Sequence, residues 1–233
     1  MAIAPFDQIT ATYTGAHSWM YETVVAPAVY RTRHAMDTHF LTLLPQGAHI
    51  LDVGCGGGLL TGYVVEQRPD LHITAIDLAD PQLERATKRL ASHADRVTFQ
   101  RGDATALDFP DATFDGVLSY GSIKHWTSRQ LGLAECVRVL KPGGPLLVTD
   151  ADRSATFDDS AEFVRNYKFP RIFDTIQLAV FRTWIAGRSI DLDEGRELAA
   201  GVPDLVDVEV ARVPDSPIMM IAGRRAPSAA VTE

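Results

Sequence analysis

Residues 50–60 read Ile50-Leu51-Asp52-Val53-Gly54-Cys55-Gly56-Gly57-Gly58-Leu59-Leu60. Apolar residues lead into a carboxylate, glycines follow, and apolar residues resume at helical spacing. That order predicts a buried strand, a tight turn and a helix start. Glycine lets a backbone turn sharply and lets a ligand lie close to it. The first turn of the following helix offers N–H groups that have no partner within the helix. A polar ligand is therefore expected over this turn. The dinucleotide fingerprint G-x-G-x-x-G is not met. Glycines fall at Gly54, Gly56 and Gly58, Leu59 stands where the third fingerprint glycine would be, and the fingerprint has no place for Asp52.

Outward from this stretch, strand and helix patterns alternate. Residues 48–53 form the first expected strand and 59–67 its helix; 72–77, 96–101, 114–119 and 145–150 are the next four strands. Asp80 is placed to cap the second helix, with Pro81 at its first position and an end near residue 93. A helix over 128–140 stops at Lys141-Pro142-Gly143-Gly144. Such alternation implies a parallel sheet with right-handed crossovers. Residues 158–200 break the rhythm with further helical patterns, and 206–213 and 218–223 read as two last strands. The turn Pro214-Asp215-Ser216-Pro217 between them is too short for anything but antiparallel neighbours. Ahead of the first strand, residues 5–44 read as helices, rich in aromatics such as Tyr13, His17, Trp19, Tyr21 and Tyr30. A segment of that kind either roofs a pocket or packs on the core.

The expected fold is α/β: a mostly parallel sheet of about seven strands with the last antiparallel, and helices on both faces. Helical lids are expected from the N-terminus and from the insertion after the fifth strand. One domain covers 1–233, with an N-terminal helical part at 1–46, a ligand-binding core at 47–150, a helical insertion at 151–203 and the last two strands at 204–225.

Hydrophobic residues make up 46% of the 233 and charged residues 22%, which suits a globular core. The net charge is -8 with no run of Lys or Arg, so the basic footprint of a nucleic-acid binder is missing. No apolar run approaches a membrane span, and residues 1–7 lack the basic start and apolar core of a signal peptide. A soluble cytoplasmic protein with neither membrane nor nucleic-acid partner is expected. Cys55 and Cys136 fall in different elements and no metal-ligand spacing occurs, so neither a disulfide nor a metal is expected.

In an open α/β sheet, ligands lie beyond the carboxyl ends of the strands, where the strand order reverses. Asp77 ends the second expected strand, and a carboxylate there accepts hydrogen bonds from neighbouring ribose hydroxyls. Asp103 follows the third. The fourth leads into Ser119-Tyr120-Gly121-Ser122-Ile123-Lys124-His125-Trp126. A histidine with an ordinary pKa near 6.5 takes a proton readily, and Trp126 suits a pocket wall or a stacking surface. Both also suit plain packing. Asp150-Ala151-Asp152-Arg153 ends the fifth strand, where two acids and an arginine either grip a ligand or pair among themselves.

The stretch Asp52-Val53-Gly54-Cys55-Gly56-Gly57-Gly58 resembles motif I of the class I S-adenosylmethionine-dependent methyltransferases. Leu107-Asp108-Phe109-Pro110-Asp111-Ala112-Thr113-Phe114-Asp115 and Arg138-Val139-Leu140-Lys141-Pro142-Gly143-Gly144 resemble the subgroup that includes ubiquinone and menaquinone methyltransferases. The resemblance implies a Rossmann-like fold, S-adenosylmethionine as cofactor and S-adenosylhomocysteine as product. It assigns the cofactor's amino acid part to Asp52, Gly54, Cys55, Gly56 and Gly58, and the ribose to Asp77 with Leu78 beside it. Asp103 and Ala104 would meet the adenine, and Ser119 and Tyr120 would run beneath the cofactor. Tyr30 is a cofactor candidate by position. The acceptor side would take Tyr21, His125, Trp126, Arg153 and Tyr167, with His125 the candidate base. A pocket lined by Tyr21, Trp126, Tyr167 and Phe169 suits an aromatic or polyketide-like small molecule.

In such enzymes the sulfonium already activates the methyl group, and transfer is an in-line displacement. Alignment alone supplies roughly 7–11 kcal/mol of the barrier, so a base is needed only where the acceptor must lose a proton. Two other readings share the fold: a cofactor-binding domain without catalysis, and an NAD-dependent oxidoreductase, against which Leu59 and Asp52 count. The acceptor atom, whether oxygen, nitrogen or carbon, stays open.

Overall fold

In the computed structural model, which describes residues 30–167 and 170–228, the apolar run before the glycines is a strand, β1 (His49–Val53). The expectations for residues 1–29, Tyr21 and the aromatic run among them, and for Phe169 lie outside the described residues. A short helix, α1 (His34–His39), precedes β1. After the glycine turn come α2 (Leu59–Gln67), β2 (His72–Asp77), α3 (Asp80–Arg89), β3 (Val97–Arg101), β4 (Gly116–Tyr120), α4 (Arg129–Val139) and β5 (Pro145–Ala151). The insertion supplies α5 (Phe157–Arg165), α6 (Asp174–Val180) and α7 (Leu192–Ala200), with a π-helical turn at Phe181–Ile185. The chain closes with β6 (Leu205–Arg212) and β7 (Ile218–Arg225).

The seven strands form one sheet in the order β3-β2-β1-β4-β5-β7-β6. Strands β1 to β5 pair in parallel, and β7 lies antiparallel between β5 and β6. The order reverses between β1 and β4, which are directly paired. A crevice at the carboxyl ends of these two strands is the ligand position of doubly wound sheets.

The two-residue period of the strands sorts their side chains onto two faces. Ile50, Leu118 and Leu147 join Met36, Phe40, Val64 and Ile73 in one core cluster. Leu51, Val53, Val117, Leu146 and Val148 join Phe114, Leu133 and Val137 in the other. Burial on both faces is what a central parallel strand requires, and it explains why these strands read as apolar runs rather than alternations. In the insertion, α5 packs on α6, and Phe163, Tyr167, Leu178 and Phe181 extend the first cluster. Helix α7 returns to the sheet and packs on α4, β6 and β7. No helix among the described residues is long and apolar enough to cross a membrane.

Two local expectations are corrected. Asp80 does not cap α3: Ala79 holds the cap position without a side-chain bond, and Asp80 lies inside the first turn. The N–H of Ala79 is taken by the Asp77 carboxylate, which displaces the expected cap. The fourth strand starts at Gly116 rather than Phe114, because Phe114 makes an isolated bridge to Leu140 and Asp115 turns to accept from His49 N and Lys141 Nζ.

Candidate active site

The glycine turn is shaped by backbone geometry that L side chains rarely adopt. Gly54 has φ +77°, and a Cβ there would lie 2.4 Å from both Cβ and Oγ of Ser122. The loop after β4 thus sits directly against the turn after β1. Gly56 also has positive φ, and a Cβ built on it would meet nothing within 4 Å, so its backbone can be approached from outside. The N–H groups of Gly54 and Cys55 both donate to Ile76 O, at 2.8 and 3.0 Å, which ties the turn to β2.

Asp77 ends β2 beside this turn. Its two oxygens accept from Gly56 N and Ala79 N, each at 2.9 Å. Burial raises its pKa, while the backbone bonds from Ala79, Gly56 and Leu78 pull it down. Each carboxylate oxygen has a second lone pair, so Asp77 keeps acceptor capacity for paired hydroxyls. Leu78 follows it with its side chain largely exposed. Asp52 lies one layer deeper, 4% exposed, and its Oδ2 accepts from Thr61 Oγ1 at 2.7 Å. Burial raises its pKa to about 6, the Thr61 bond opposes the rise, and the Asp77 charge adds to it. A buried carboxylate held in this way has a strong preference for a cationic partner. The Cys55 thiol is pushed well above its usual range by burial, and by the Asp52 and Asp77 charges in addition. It is kept neutral, leaving its backbone as its contribution to the turn.

Asp103 closes a tight turn after β3: its Oδ1 accepts from Thr105 N and Thr105 Oγ1, each at 2.8 Å. Ala104 is buried in the second core cluster. These residues, the glycine turn and Asp77 line the carboxyl edge of β1, β2 and β3. They fit a nucleoside-bearing ligand with an amino acid arm: a carboxylate for hydroxyls at Asp77, an acid for an ammonium group at Asp52, and an unobstructed backbone at Gly56.

The residues after β4 are used mainly among themselves. Ser119 is fully buried, and its hydroxyl lies 2.7 Å from that of Ser122. Ser122 Oγ donates to Val53 O at 3.0 Å and accepts from Trp126 Nε1 at 3.1 Å. Trp126 packs on α4, where a Cβ at Gly132 would lie 2.3 Å from its ring. Tyr120 Oη donates to Thr32 O at 3.1 Å and pairs with the Thr32 hydroxyl. Burial pushes its pKa to about 12. It fastens the segment before α1 to the end of β4. Tyr30 stands edge-on to Tyr63 at 5.5 Å, with the Arg33 guanidinium 4.3 Å above its ring.

His125 departs from the ordinary value near 6.5. Surrounding atoms desolvate its ring although the residue as a whole is exposed, and with the Lys124 and Arg188 cations this lowers its pKa to about 4; Asp150 pulls the other way. A general base works best with a pKa near the operating pH, so His125 is neutral and weakly basic here. Lys124 Nζ binds Asp150 at 2.8 Å, and Asp150 also accepts from Lys124 N and Ala151 N. The expected pairing of Arg153 with its neighbouring acids is corrected. Arg153 pairs with Asp191 at 2.6 Å and Glu194 at 3.1 Å, pinning the start of α7, while Asp152 pairs with Arg212 at 2.6 Å. Arg153 is therefore engaged by the scaffold rather than held out toward an acceptor. Tyr167 lies in the insertion with its ring against Phe163 at 5.9 Å.

Sequence reasoning missed Ser122, Thr61, Thr32 and the Lys124–Asp150 pair. Each acts through a partner distant in the chain, and single polar residues in a loop or helix carry no local signal of that.

Residues 50–144 match the methyltransferase domain family. A demethylmenaquinone methyltransferase of Symbiobacterium thermophilum is 40% identical over 154 residues, which cover 64% of this chain and 58% of that protein. A 27-O-demethylrifamycin SV methyltransferase of Amycolatopsis mediterranei is 38% identical over 109 residues, covering 46% and 40%. The chain thus spans about half the length of these relatives. A SAM-dependent methyltransferase structure from Aquifex aeolicus superposes with a TM-score of 0.69 at 15% identity, over 92% of this chain and 100% of that one, which shows the shared fold. Motif, sheet order and glycine turn agree with the match of residues 50–144 to the methyltransferase domain family.

Proposed function

We propose that this chain transfers a methyl group from S-adenosylmethionine to a small-molecule acceptor. The observation that carries the reading is the Asp77 carboxylate, held by Gly56 N and Ala79 N at the carboxyl end of β2, next to the point where strand order reverses. The two relatives described above are named for demethylmenaquinone and a demethylrifamycin, and the acceptor is assigned to that broad class of organic small molecules.

S-adenosylmethionine, when bound, supplies the activated methyl group. The chain's own residues do the rest. Asp77 receives the ribose hydroxyls, the turn at 54–58 lets the ligand lie on the backbone, and Asp52 faces the amino acid arm. Asp103 and Ala104 border the adenine side. The core at 47–150 is assigned to the cofactor, and the insertion at 151–203 to the acceptor and to excluding water. Positioning carries catalysis, with His125 the candidate base where the acceptor must lose a proton.

Calorimetric titration with S-adenosylhomocysteine, run beside NAD and repeated on Asp77→Ala, tests the reading. Micromolar binding of the first ligand alone, weakened at least about 100-fold in the variant, is expected, because two charge-assisted hydrogen bonds are lost. NAD binding, or equal affinity in the variant, would overturn it.

A further inference from the structure

Ser122 is buried just beyond Gly121, whose φ of +78° turns the chain after β4. A serine hydroxyl donates one hydrogen bond and accepts two, and the hydroxyl of Ser122 is used to that capacity. Its Oγ lies 3.0 Å from Val53 O, which can only accept, so its proton goes there. Trp126 Nε1, which can only donate, fills one acceptor position at 3.1 Å. The Ser119 hydroxyl, at 2.7 Å, is then the donor to the other. The register of β1 with β4 ends at Asp52 and Leu118. At Val53, where the order of the sheet reverses, a side chain from the loop after β4 therefore takes over from the backbone ladder.

The glycine turn is held differently on its two sides. Toward β2, Gly54 N and Cys55 N both donate to Ile76 O. Toward β4, among the described residues, the three atoms nearest a Cβ built on Gly54 all belong to Ser122, two of them at 2.4 Å. The loop that carries Ser122 is anchored to β5 as well: Lys124 Nζ binds Asp150 at 2.8 Å, and Lys124 N donates to the same carboxylate at 3.2 Å. Ser122 is wedged between this anchored loop and the turn. We propose that Ser122 is a positioning residue for the amino acid arm of the cofactor, acting through Val53 and Gly54 and not by contact with the reacting atoms. The inference rests on the methyl-transfer reading, which puts that arm over the turn at 54–58 and the ribose on Asp77. Asp77 keeps its place without Ser122, because it is paired in register with Arg101 and bonded by Ala79 N. The two halves of the ligand should therefore respond differently to the loss of this hydroxyl.

Titration of the full chain with two ligands tests this: S-adenosylhomocysteine, and 5′-methylthioadenosine, which keeps the ribose and adenine but lacks the amino acid arm. Ser122→Ala removes the donor to Val53 O and the acceptor of Trp126 Nε1, and gives the turn room to move. It is expected to weaken S-adenosylhomocysteine at least about tenfold and to hold methylthioadenosine within about twofold of wild type. Asp77→Ala is expected to weaken both ligands, since both carry the ribose. A serine that merely supported the fold would not give this split, because general loosening lowers both affinities together. Ser122→Cys fills the same space with a weaker donor and acceptor. It is expected to show the same split with a smaller loss, and it decides the matter if the alanine variant does not fold. An affinity for S-adenosylhomocysteine within about twofold of wild type, or an equal loss of both ligands, in the serine variant that folds would overturn the proposal. Failure of S-adenosylhomocysteine to bind the wild type would instead sink the methyl-transfer reading, and this inference with it.

Discussion

Replacing Asp52 with asparagine should stabilise the ligand-free protein while weakening its hold on the cofactor. The side chain is 4% exposed, and burial raises its pKa from 3.8 to about 6. A group whose pKa is raised by folding binds its proton more tightly in the folded state than in the unfolded chain. Its contribution to stability is fully present below pH 3.8 and is lost as the pH rises through about 6. A shift of about 2 units corresponds to about 3 kcal/mol at most. Asparagine keeps the shape and can still accept from the Thr61 hydroxyl, but carries no charge to desolvate. Asp52→Asn should therefore unfold at higher urea at pH 7.5, by up to about 3 kcal/mol or roughly 6–12 °C in Tm. The margin should narrow as the pH is lowered toward 4, where the wild-type carboxyl is itself neutral. S-adenosylhomocysteine, which brings an ammonium group, should bind the wild type less tightly as the pH falls through about 6, and should bind the variant weakly at every pH. Urea unfolding followed by circular dichroism at several pH values, with parallel titrations, reads both effects. A variant less stable than wild type at pH 7.5, or a margin that does not change with pH, would refute the account of Asp52 as a carboxylate stored at a cost for its ligand.

Three further outcomes follow from the scaffold around the crevice. Lys124→Met leaves the Asp150 carboxylate, whose side chain is 1% exposed, without its cation at 2.8 Å. It should cost about 3–5 kcal/mol in urea unfolding, most of which Lys124→Met/Asp150→Asn should restore; an equal loss in the double variant would mean that packing, not charge, is at stake. Gly54→Ala drives a Cβ to 2.4 Å from Ser122 at a φ of +77°, and should lose about 2–5 kcal/mol of stability through overlap and backbone strain together. A variant within about 0.5 kcal/mol of wild type would show that the loop after β4 yields freely. Cys55, with its thiol held above the usual range, should react with iodoacetamide at pH 7.5 at least about tenfold more slowly than free cysteine, and fast labelling would contradict its burial beside Asp52 and Asp77.

The glycine turn was legible because it is backbone geometry written in one continuous stretch. Glycines at 54, 56 and 58 after an apolar run admit few structures other than a strand, a turn and a helix, and α2 and β2 begin and end where the pattern changes. The arrangement at the end of β5 is a matter of pairing between side chains far apart in the chain. Asp150, Asp152 and Arg153 lie within four residues of sequence, yet their charges are answered by Lys124, by Arg212, and by Asp191 with Glu194, from three different places in the fold. A local reading offers Arg153 its adjacent acids, and the folded chain supplies others. The same holds for His125: residue type alone sets it near neutrality, and only the folded chain, by burying the ring beside the Lys124 and Arg188 cations, lowers its pKa to about 4 against the opposing pull of Asp150.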